Sequence, residues 1–325
     1  MSAESGDRTV KLRRFVWDDL PVLLEVINAA SAFDGDDQAD TLDGLRERFT
    51  RPYFEPERNC FVAVTDAGAL VGYCTAELDP RFGTGWGTGA VLPGCRRQGI
   101  GTALLRAADA RHLERADADM SPDLPLRVRR FARDAAASTV ALLERAGYVV
   151  VRSSWFMHVE LAGLPEPPAL PDGITLRPFD RDRDAQAVHA AEADLFGENW
   201  GYQPVPFEVW RHMRLGAGFD PGLWLVAVEN DAVVGLCLGG PWGETDPGRG
   251  WINALGVRTD RRRRGLGSAL LRHGFAALRR RGFTAGGLEV DAENDSNAVA
   301  LYERAGMSVR RRYLLFDKTL RETGE

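Results

Sequence analysis

Leu255-Gly256-Val257-Arg258-Thr259-Asp260-Arg261-Arg262-Arg263-Arg264-Gly265-Leu266-Gly267-Ser268-Ala269-Leu270 decides the reading of this chain. Ile252 to Val257 reads as a short apolar strand that enters a basic turn. Two glycines then open a helix in which Leu266, Leu270, Leu271 and Leu278 recur at helical spacing. Glycines at a strand-to-helix turn let backbone N–H groups point outward and approach a ligand closely. The helix N-terminus adds partial positive charge, a combination suited to phosphate. Four arginines just ahead of that end are unfavourably placed, each costing ~0.3–1 kcal/mol unless an anion compensates. A dinucleotide fingerprint needs a third glycine three residues after the second, and Leu270 stands there.

The rest of the chain bounds the alternatives. Its 325 residues are long enough for two domains. A formal charge of −6 argues against a general nucleic-acid binder. Cys60, Cys74, Cys95 and Cys237 are scattered among apolar residues without metal or disulfide spacing, which favours reduced, buried thiols. The five histidines are isolated, so no metal site is expected. With no apolar leader and no run of 18 apolar residues, a cytoplasmic protein without membrane or nucleic-acid partners is expected. Only two of 41 basic residues are lysine, the mark of a GC-rich coding sequence.

The chain repeats itself. Leu12-Arg13-Arg14-Phe15 recurs as Leu176-Arg177-Pro178-Phe179, and Val62-Ala63-Val64 as Val226-Ala227-Val228. Arg96-x-x-Gly99-x-Gly101 recurs as Arg262-x-x-Gly265-x-Gly267, and Leu142-Leu143-Glu144-Arg145-Ala146-Gly147 as Leu301-Tyr302-Glu303-Arg304-Ala305-Gly306. Four matches in order, at offsets of 159 to 166 residues, indicate a tandem duplication. Residues 162–173 hold four prolines in twelve and read as a linker. It divides a first domain, 1–161, from a second, 174–325. Each half reads as strand, two helices, strand hairpin, strand, helix, strand, helix and a final strand, Val149 to Leu161 in the first half.

The arginine–glycine loop and the stretch Asn297-x-x-Ala300-Leu301-Tyr302-x-x-x-Gly306 resemble the GNAT acetyltransferase superfamily, and the resemblance covers nearly the whole chain. It implies an α/β fold, specifically the α+β mixed-sheet GNAT fold, present as two tandem domains. It further implies acetyl-CoA as cofactor and a small-molecule amine as acceptor, in a monomer or homodimer. Its pyrophosphate loop maps onto Arg262, Arg263, Arg264, Gly265, Leu266, Gly267 and Ser268, and its fourth strand onto Leu255, Gly256 and Val257. Gly256 is expected to mark a bulge there. Asn294 and Asn297 are the expected pantetheine contacts. Tyr302 falls where the family places a general acid aimed at the cofactor sulfur, although an aromatic at such a position also serves packing. For the general base, Glu289 on the fifth strand and Glu244 ahead of the fourth are both open. Glu198 and, in the first half, Asp36 lie where acceptor contacts are expected, and Trp200 or Trp242 could line that pocket.

In the first half Ala90, Val91, Arg96, Arg97, Gln98, Gly99, Ile100 and Gly101 retain the loop, so coenzyme A binding is expected to be possible there. Tyr302, however, aligns with Leu143, Asn297 with Ser138, Asn294 with Ala135 and Glu289 with Arg130. The expectation is a catalytic second domain and a first domain without turnover. The layout is further similar to tandem family members that acetylate the cysteine amine of a cysteinyl-glucosaminyl-inositol. Tandem members acting on antibiotics or biosynthetic intermediates, and a coenzyme A-binding sensor or scaffold, are the alternatives.

Overall fold

The computed structural model describes residues 10–35, 39–52, 54–216, 219–243, 246–293 and 298–323. It divides into two compact units, and the division is not the one the linker suggests. One unit comprises residues 1–152 with Tyr313–Glu325; the other is Ser153–Arg312.

The first unit begins with β1 (Val10–Arg14), α1 (Leu20–Phe33), α2 (Leu42–Phe49) and a single turn, α3 (Pro56–Asn59). The hairpin β2 (Cys60–Thr65) and β3 (Leu70–Thr75) follows, then β4 (Glu77–Asp79), β5 (Thr84–Trp86) and β6 (Gly89–Val91). Helix α4 (Ile100–Asp119), strand β7 (Leu126–Arg133), helix α5 (Ala137–Arg145) and strand β8 (Val149–Glu160) complete the first half of the sequence. One sheet has the order β1-β2-β3-β6. The fourth strand of this half is broken: β6 pairs with β3, whereas β5 pairs antiparallel with β4 and parallel with β7. Apolar residues of α4 recur at Ile100, Leu104, Ala108 and Ala116 on its buried face, the periodicity of a helix laid on a sheet.

The second half has β9 (Thr175–Pro178), α6 (Arg181–Phe196), α7 (Phe207–Arg214), β10 (Trp224–Glu229), β11 (Ala232–Pro241) and β12 (Arg249–Val257). It continues through α8 (Leu266–Arg280), β13 (Ala285–Asp291), α9 (Ala298–Arg304) and β14 (Ser308–Arg321). Strands β10, β11 and β12 form an antiparallel meander, and β13 joins β12 in parallel.

The final strands are exchanged. From Ser153 onward β8 pairs antiparallel with β13 of the second unit, with Met157 opposite Leu288 and Phe156 opposite Glu289. The end of β14 pairs antiparallel with β7 of the first, with Phe316 opposite Arg130. Met157, Val159 and Leu161 thus belong to the second unit's core, and Phe316 to the first unit's. The strand expected to close the first half is present, but its inner part belongs to the other sheet. The linker residues Leu164 and Leu170 pack on the second unit's core.

The duplication is visible in side-chain detail. Arg13 of β1 makes a two-pronged bond to Asp19 at 2.6 and 2.7 Å. Arg177 of β9 does the same to Asp184 at 2.6 and 2.9 Å. Both carboxylates also accept a backbone N–H, from Val16 and Asp180 respectively. Each clamp fixes the entry from first strand to first helix with the charge-assisted geometry arginine favours.

Candidate active site

The two strand-to-helix loops have nearly the same backbone. Gly265 precedes α8 with φ 85°, and Gly99 precedes α4 with φ 80°, a left-handed conformation in which a Cβ would be strained. Two residues earlier Arg263 and Arg97 take the same region, at φ 61° and 67°. Non-glycine residues held there cost of order 1–3 kcal/mol and cluster at ligand clamps. In α8 the first N–H to find a helical acceptor is that of Ala269, which donates to the Gly265 carbonyl at 3.0 Å. The N–H groups of the turn before it point out of the helix end, ready for an anion.

The arginine run is compensated within the protein, contrary to the sequence expectation. Arg261 and Arg264 both pair with Glu229. Arg262 donates Nε to the Val257 carbonyl at 3.1 Å and an Nη to Glu198 at 3.1 Å. Arg96 repeats the first of these bonds, to the Val91 carbonyl at 3.1 Å. This arginine is therefore a brace for the loop in both halves. Arg263 is exposed on the turn.

Ahead of the loop the second unit's sheet opens. β12 and β13 pair from Arg249–Ala285 to Ile252–Leu288 and no further, while β12 stays bonded to β11 through Val257. Alternate backbone groups of residues 253–257 therefore face a gap between two strands. The register shift in β12 lies at Asn253, between the pairs Gly239–Ile252 and Leu238–Ala254. The bulge is thus at Asn253; Gly256 pairs regularly with Leu236. The extra residue reverses the alternation. A Cβ at Gly250 would meet Leu278 of α8, whereas one at Gly256 would lie 2.8 Å from Phe196 of α6. Gly256 is there for the close approach of α6.

Glu289 occupies the first position of β13 beyond the paired segment. It is exposed and accepts a hydrogen bond from the Ser154 hydroxyl of β8. The protein around it pushes its carboxyl above the usual range, and the Ser154 bond pulls the other way. Tyr302 sits on α9 with 8 % exposure. Burial, with a smaller contribution from Cys237, pushes its phenol up to about 12, so it is protonated at neutral pH. Gly306 ends α9 at φ 93°, and the Met307 N–H donates to the Tyr302 carbonyl at 3.0 Å, fixing the helix end.

The equivalent positions of the first unit carry different chemistry. Leu143, at the place of Tyr302, is core. Arg130, at the place of Glu289, is buried and lies 3.3 Å from the sulfur of Cys74, the counterpart of Cys237. Its Nε donates to the Tyr148 hydroxyl at 3.1 Å; that hydroxyl donates to Asp109 at 2.6 Å, and Lys318 of β14 donates to Asp109 at 3.0 Å. Burial alone would weaken the charge of Arg130, but Cys74, Tyr148 and Asp109 hold its pKa above the ordinary value. Arg96 is engaged as well, by Asp34 at 2.7 and 2.9 Å.

The anticipated residues are thus distributed unevenly. Leu255, Gly256, Val257 and the segment from Arg262 to Ser268 form one strand-loop-helix element beside Glu289's strand. Ala90, Val91 and the segment from Arg96 to Gly101 form its counterpart. Glu198, expected among the acceptor contacts, pairs with Arg262 of the loop at 3.1 Å. Asp36, Glu244, Asn294 and Asn297 lie outside the described residues. Sequence reasoning missed Ser154, Asp34 and Asn253. A serine on the final strand of the other half carries no local signal for Glu289.

Comparison with known proteins agrees with this architecture. Residues 185–307 match the Acetyltransferase (GNAT) family, and residues 56–150 the Acetyltransferase (GNAT) domain. A protein of Geodermatophilus obscurus named mycothiol acetyltransferase is 32 % identical over 301 residues, covering 88 % of this chain and 90 % of its own. One of the same name from Salinispora arenicola is 35 % identical over 298 residues, covering 89 % and 91 %. The crystal structure of a GCN5-related N-acetyltransferase from Sphaerobacter thermophilus is similar at TM-score 0.81 and 32 % identity, with 97 % of both chains covered. A tandem GNAT protein from the clavulanic acid biosynthesis pathway shares the fold, at TM-score 0.73 and 18 % identity, over 97 % of this chain and 100 % of its own. With a match in each half and such relatives along nearly its whole length, the chain belongs to the GNAT acetyltransferase family and is an acyltransferase with two GNAT domains.

Proposed function

We propose that the second unit transfers an acetyl group from acetyl-CoA to the primary amine of a small molecule, at the gap between β12 and β13. The observation that carries this reading is the gap itself. It joins the glycine turn, with outward N–H groups and exposed Arg263, to a carboxylate at its edge. Acetyl-CoA supplies the thioester whose carbonyl carbon passes from sulfur to nitrogen. Residues 263–268 would hold its phosphates, and the free edge of residues 253–257 would hold its amide groups by strand-like bonds.

The chain's own groups move the protons. Glu289 accepts one from the acceptor ammonium, directly or through water, and releases it to solvent. The freed nitrogen lone pair forms the C–N bond as the C–S bond breaks. Tyr302 gives its phenolic proton to the departing sulfur and recovers one from the acetylated nitrogen. The carboxyl of Glu289 is raised toward the operating pH, as a general base needs, and the phenol of Tyr302, pushed up to about 12, carries its proton throughout the neutral range.

The relatives' name makes the amine of the mycothiol precursor, cysteinyl-glucosaminyl-inositol, the first acceptor to test. Leu143 and buried Arg130 support a first unit without turnover. The test is mass spectrometry of product after incubation with acetyl-CoA and that precursor, beside aminoglycosides, amino acids and polyamines. Gain of one acetyl on an amine is expected. If no amine gains an acetyl while acetyl-CoA still binds, the chain is a binding protein and the reading fails.

A further inference from the structure

We propose that strand β8, part of the first half in sequence, completes the acceptor side of the second unit's site. Ser154 positions the Glu289 carboxylate, while Phe156, Trp242 and Trp251 form a wall for an amine carried on an apolar or flat ring scaffold. This rests on the reading of the second unit as an acetyltransferase with Glu289 as its base.

The geometry is that of one sheet face. Phe156 and Glu289 are cross-strand partners, so their side chains share a face. Ser154, two residues from Phe156, is on that face too, and its hydroxyl bonds Glu289. The Trp251 ring lies over Gly287, two residues before Glu289 on β13. Phe156 is 5.3 Å from Trp251 and 5.6 Å from Trp242 between ring centroids, and the two indoles are 3.8 Å apart. All three rings are partly exposed. Trp251 lies two residues before the bulge at Asn253, where β12 leaves β13. Wall, carboxylate and gap are therefore contiguous, within a single compact unit.

An aromatic surface beside a carboxylate matches an amine on a ring: the rings take its apolar face, and the carboxylate takes the ammonium. His158 pairs with Glu160 at 2.9 Å, and Glu293 accepts from the Ser153 N–H and hydroxyl at 3.2 and 3.3 Å. Asp291 accepts from the Glu293 N–H at 2.9 Å. Partial desolvation by the surrounding strands and the Ser154 bond are the two influences that set Glu289.

The experiment uses the full chain with Ser154→Ala, Ser154→Thr and Phe156→Ala. Carbon-13 NMR of labelled glutamate carboxyls, with Glu289→Gln for assignment, follows Glu289 without any acceptor. Ser154→Ala is expected to move its titration to higher pH, because a hydrogen bond to the charged form is lost. Ser154→Thr should restore it. With the acceptor identified by mass spectrometry, the acidic limb of kcat/KM should move the same way while the KM for acetyl-CoA stays constant. Phe156→Ala should raise the acceptor KM roughly fivefold, the worth of one aromatic contact, with kcat retained. An unmoved titration in Ser154→Ala overturns the positioning role, whether or not any amine is acetylated. A moved titration with an unmoved kcat/KM limb leaves the contact but removes Glu289 as base. An unchanged acceptor KM in Phe156→Ala removes the wall.

Discussion

Replacing Tyr302 by phenylalanine isolates one proton. The ring stays in the core and only the hydroxyl leaves, so the packing of α9 is retained. With the phenol pushed up to about 12, the ionised fraction at pH 7 is on the order of one in 10⁵. Essentially every molecule can therefore donate. A positioned general acid typically contributes ~10²–10⁴-fold, so kcat should fall by that factor in Tyr302→Phe. Acetyl-CoA affinity, read by calorimetry, should change less than about twofold, since the site's phosphate end is remote in sequence and on another element. Wild-type kcat should also show no loss of acid catalysis below about pH 10, because the phenol is still protonated there. A coupled assay of free thiol release measures kcat and its pH profile. Unchanged kcat in a folded Tyr302→Phe protein would refute the assignment and leave Tyr302 as packing. A parallel loss of acetyl-CoA affinity would mean that the hydroxyl binds rather than donates.

Three further outcomes are expected. Gly256→Ala places a Cβ 2.8 Å from the Phe196 ring and 3.1 Å from the Leu195 Cβ; overpacking costs of ~1–3 kcal/mol exceed the ~0.4–1 kcal/mol gained by removing a glycine from the unfolded chain. A lower melting temperature and a higher KM for acetyl-CoA should follow, and an unchanged melt would contradict the close packing of α6. His112 is buried and bonded through Nε2 to the carbonyls of Glu77 and Trp86, and burial, with Arg130 nearby, lowers it to about 4. Its folded pKa lies below the unfolded ~6.5, so stability is complete above that value and falls toward pH 4, by about 2 kcal/mol at pH 5. In His112→Gln the loss between pH 7 and 5 should shrink, as read by denaturant melts at each pH; an identical loss would clear His112. Finally, cutting between residues 161 and 162 removes β8 from β13's edge and β14 from β7's. Losing Met157, Val159 and Leu161 from one core forfeits on the order of 5–8 kcal/mol, comparable to a whole domain's stability. Neither fragment alone should show a cooperative melt, and co-expression should restore one; an independently folded 162–325 fragment would refute the exchange.

Much of this was legible in the sequence, because the signals were local. The periodicity of Leu266, Leu270 and Leu271, the glycines at 99 and 265 and the repeated Arg-x-x-Gly-x-Gly located both loops and their helices. The order of elements followed from the repeat. What stayed hidden is non-local. β8 and β14 descend from one ancestral strand, and each presents an alternation that fits beside either fifth strand; nothing in Val149–Glu160 says that its partner is β13 rather than β7. Ser154 therefore could not be joined to Glu289. The bulge was misread because a glycine in a strand signals either a bulge or a close approach, and only the position of Phe196 separates the two. Glu198 and Glu229 were invisible as partners of the arginine run because ion pairs across 32 to 64 residues leave no spacing signature.

The two halves also separate what a loop needs to fold from what a site needs to react. The brace from arginine Nε to the last strand carbonyl is 3.1 Å in both, and the left-handed glycine differs by 5° in φ. These features make the strand-to-helix turn, so they persist wherever the fold does and carry no information about turnover. The informative positions are 130 and 289, and 143 and 302. At 289 an exposed carboxylate stands at the edge of an open sheet. At 130 a buried guanidinium is balanced by Asp109, itself shared with Lys318 from the far end of the chain. A buried charge survives only with its partners in place, and removing one typically costs ~3–5 kcal/mol. The exchanged strand is thus part of what makes Arg130 tenable. A reversal of Arg130 alone to glutamate would leave two buried carboxylates against one lysine. Arg130→Glu alone is therefore expected to destabilise the first unit, read as a lower melting temperature than the wild-type chain.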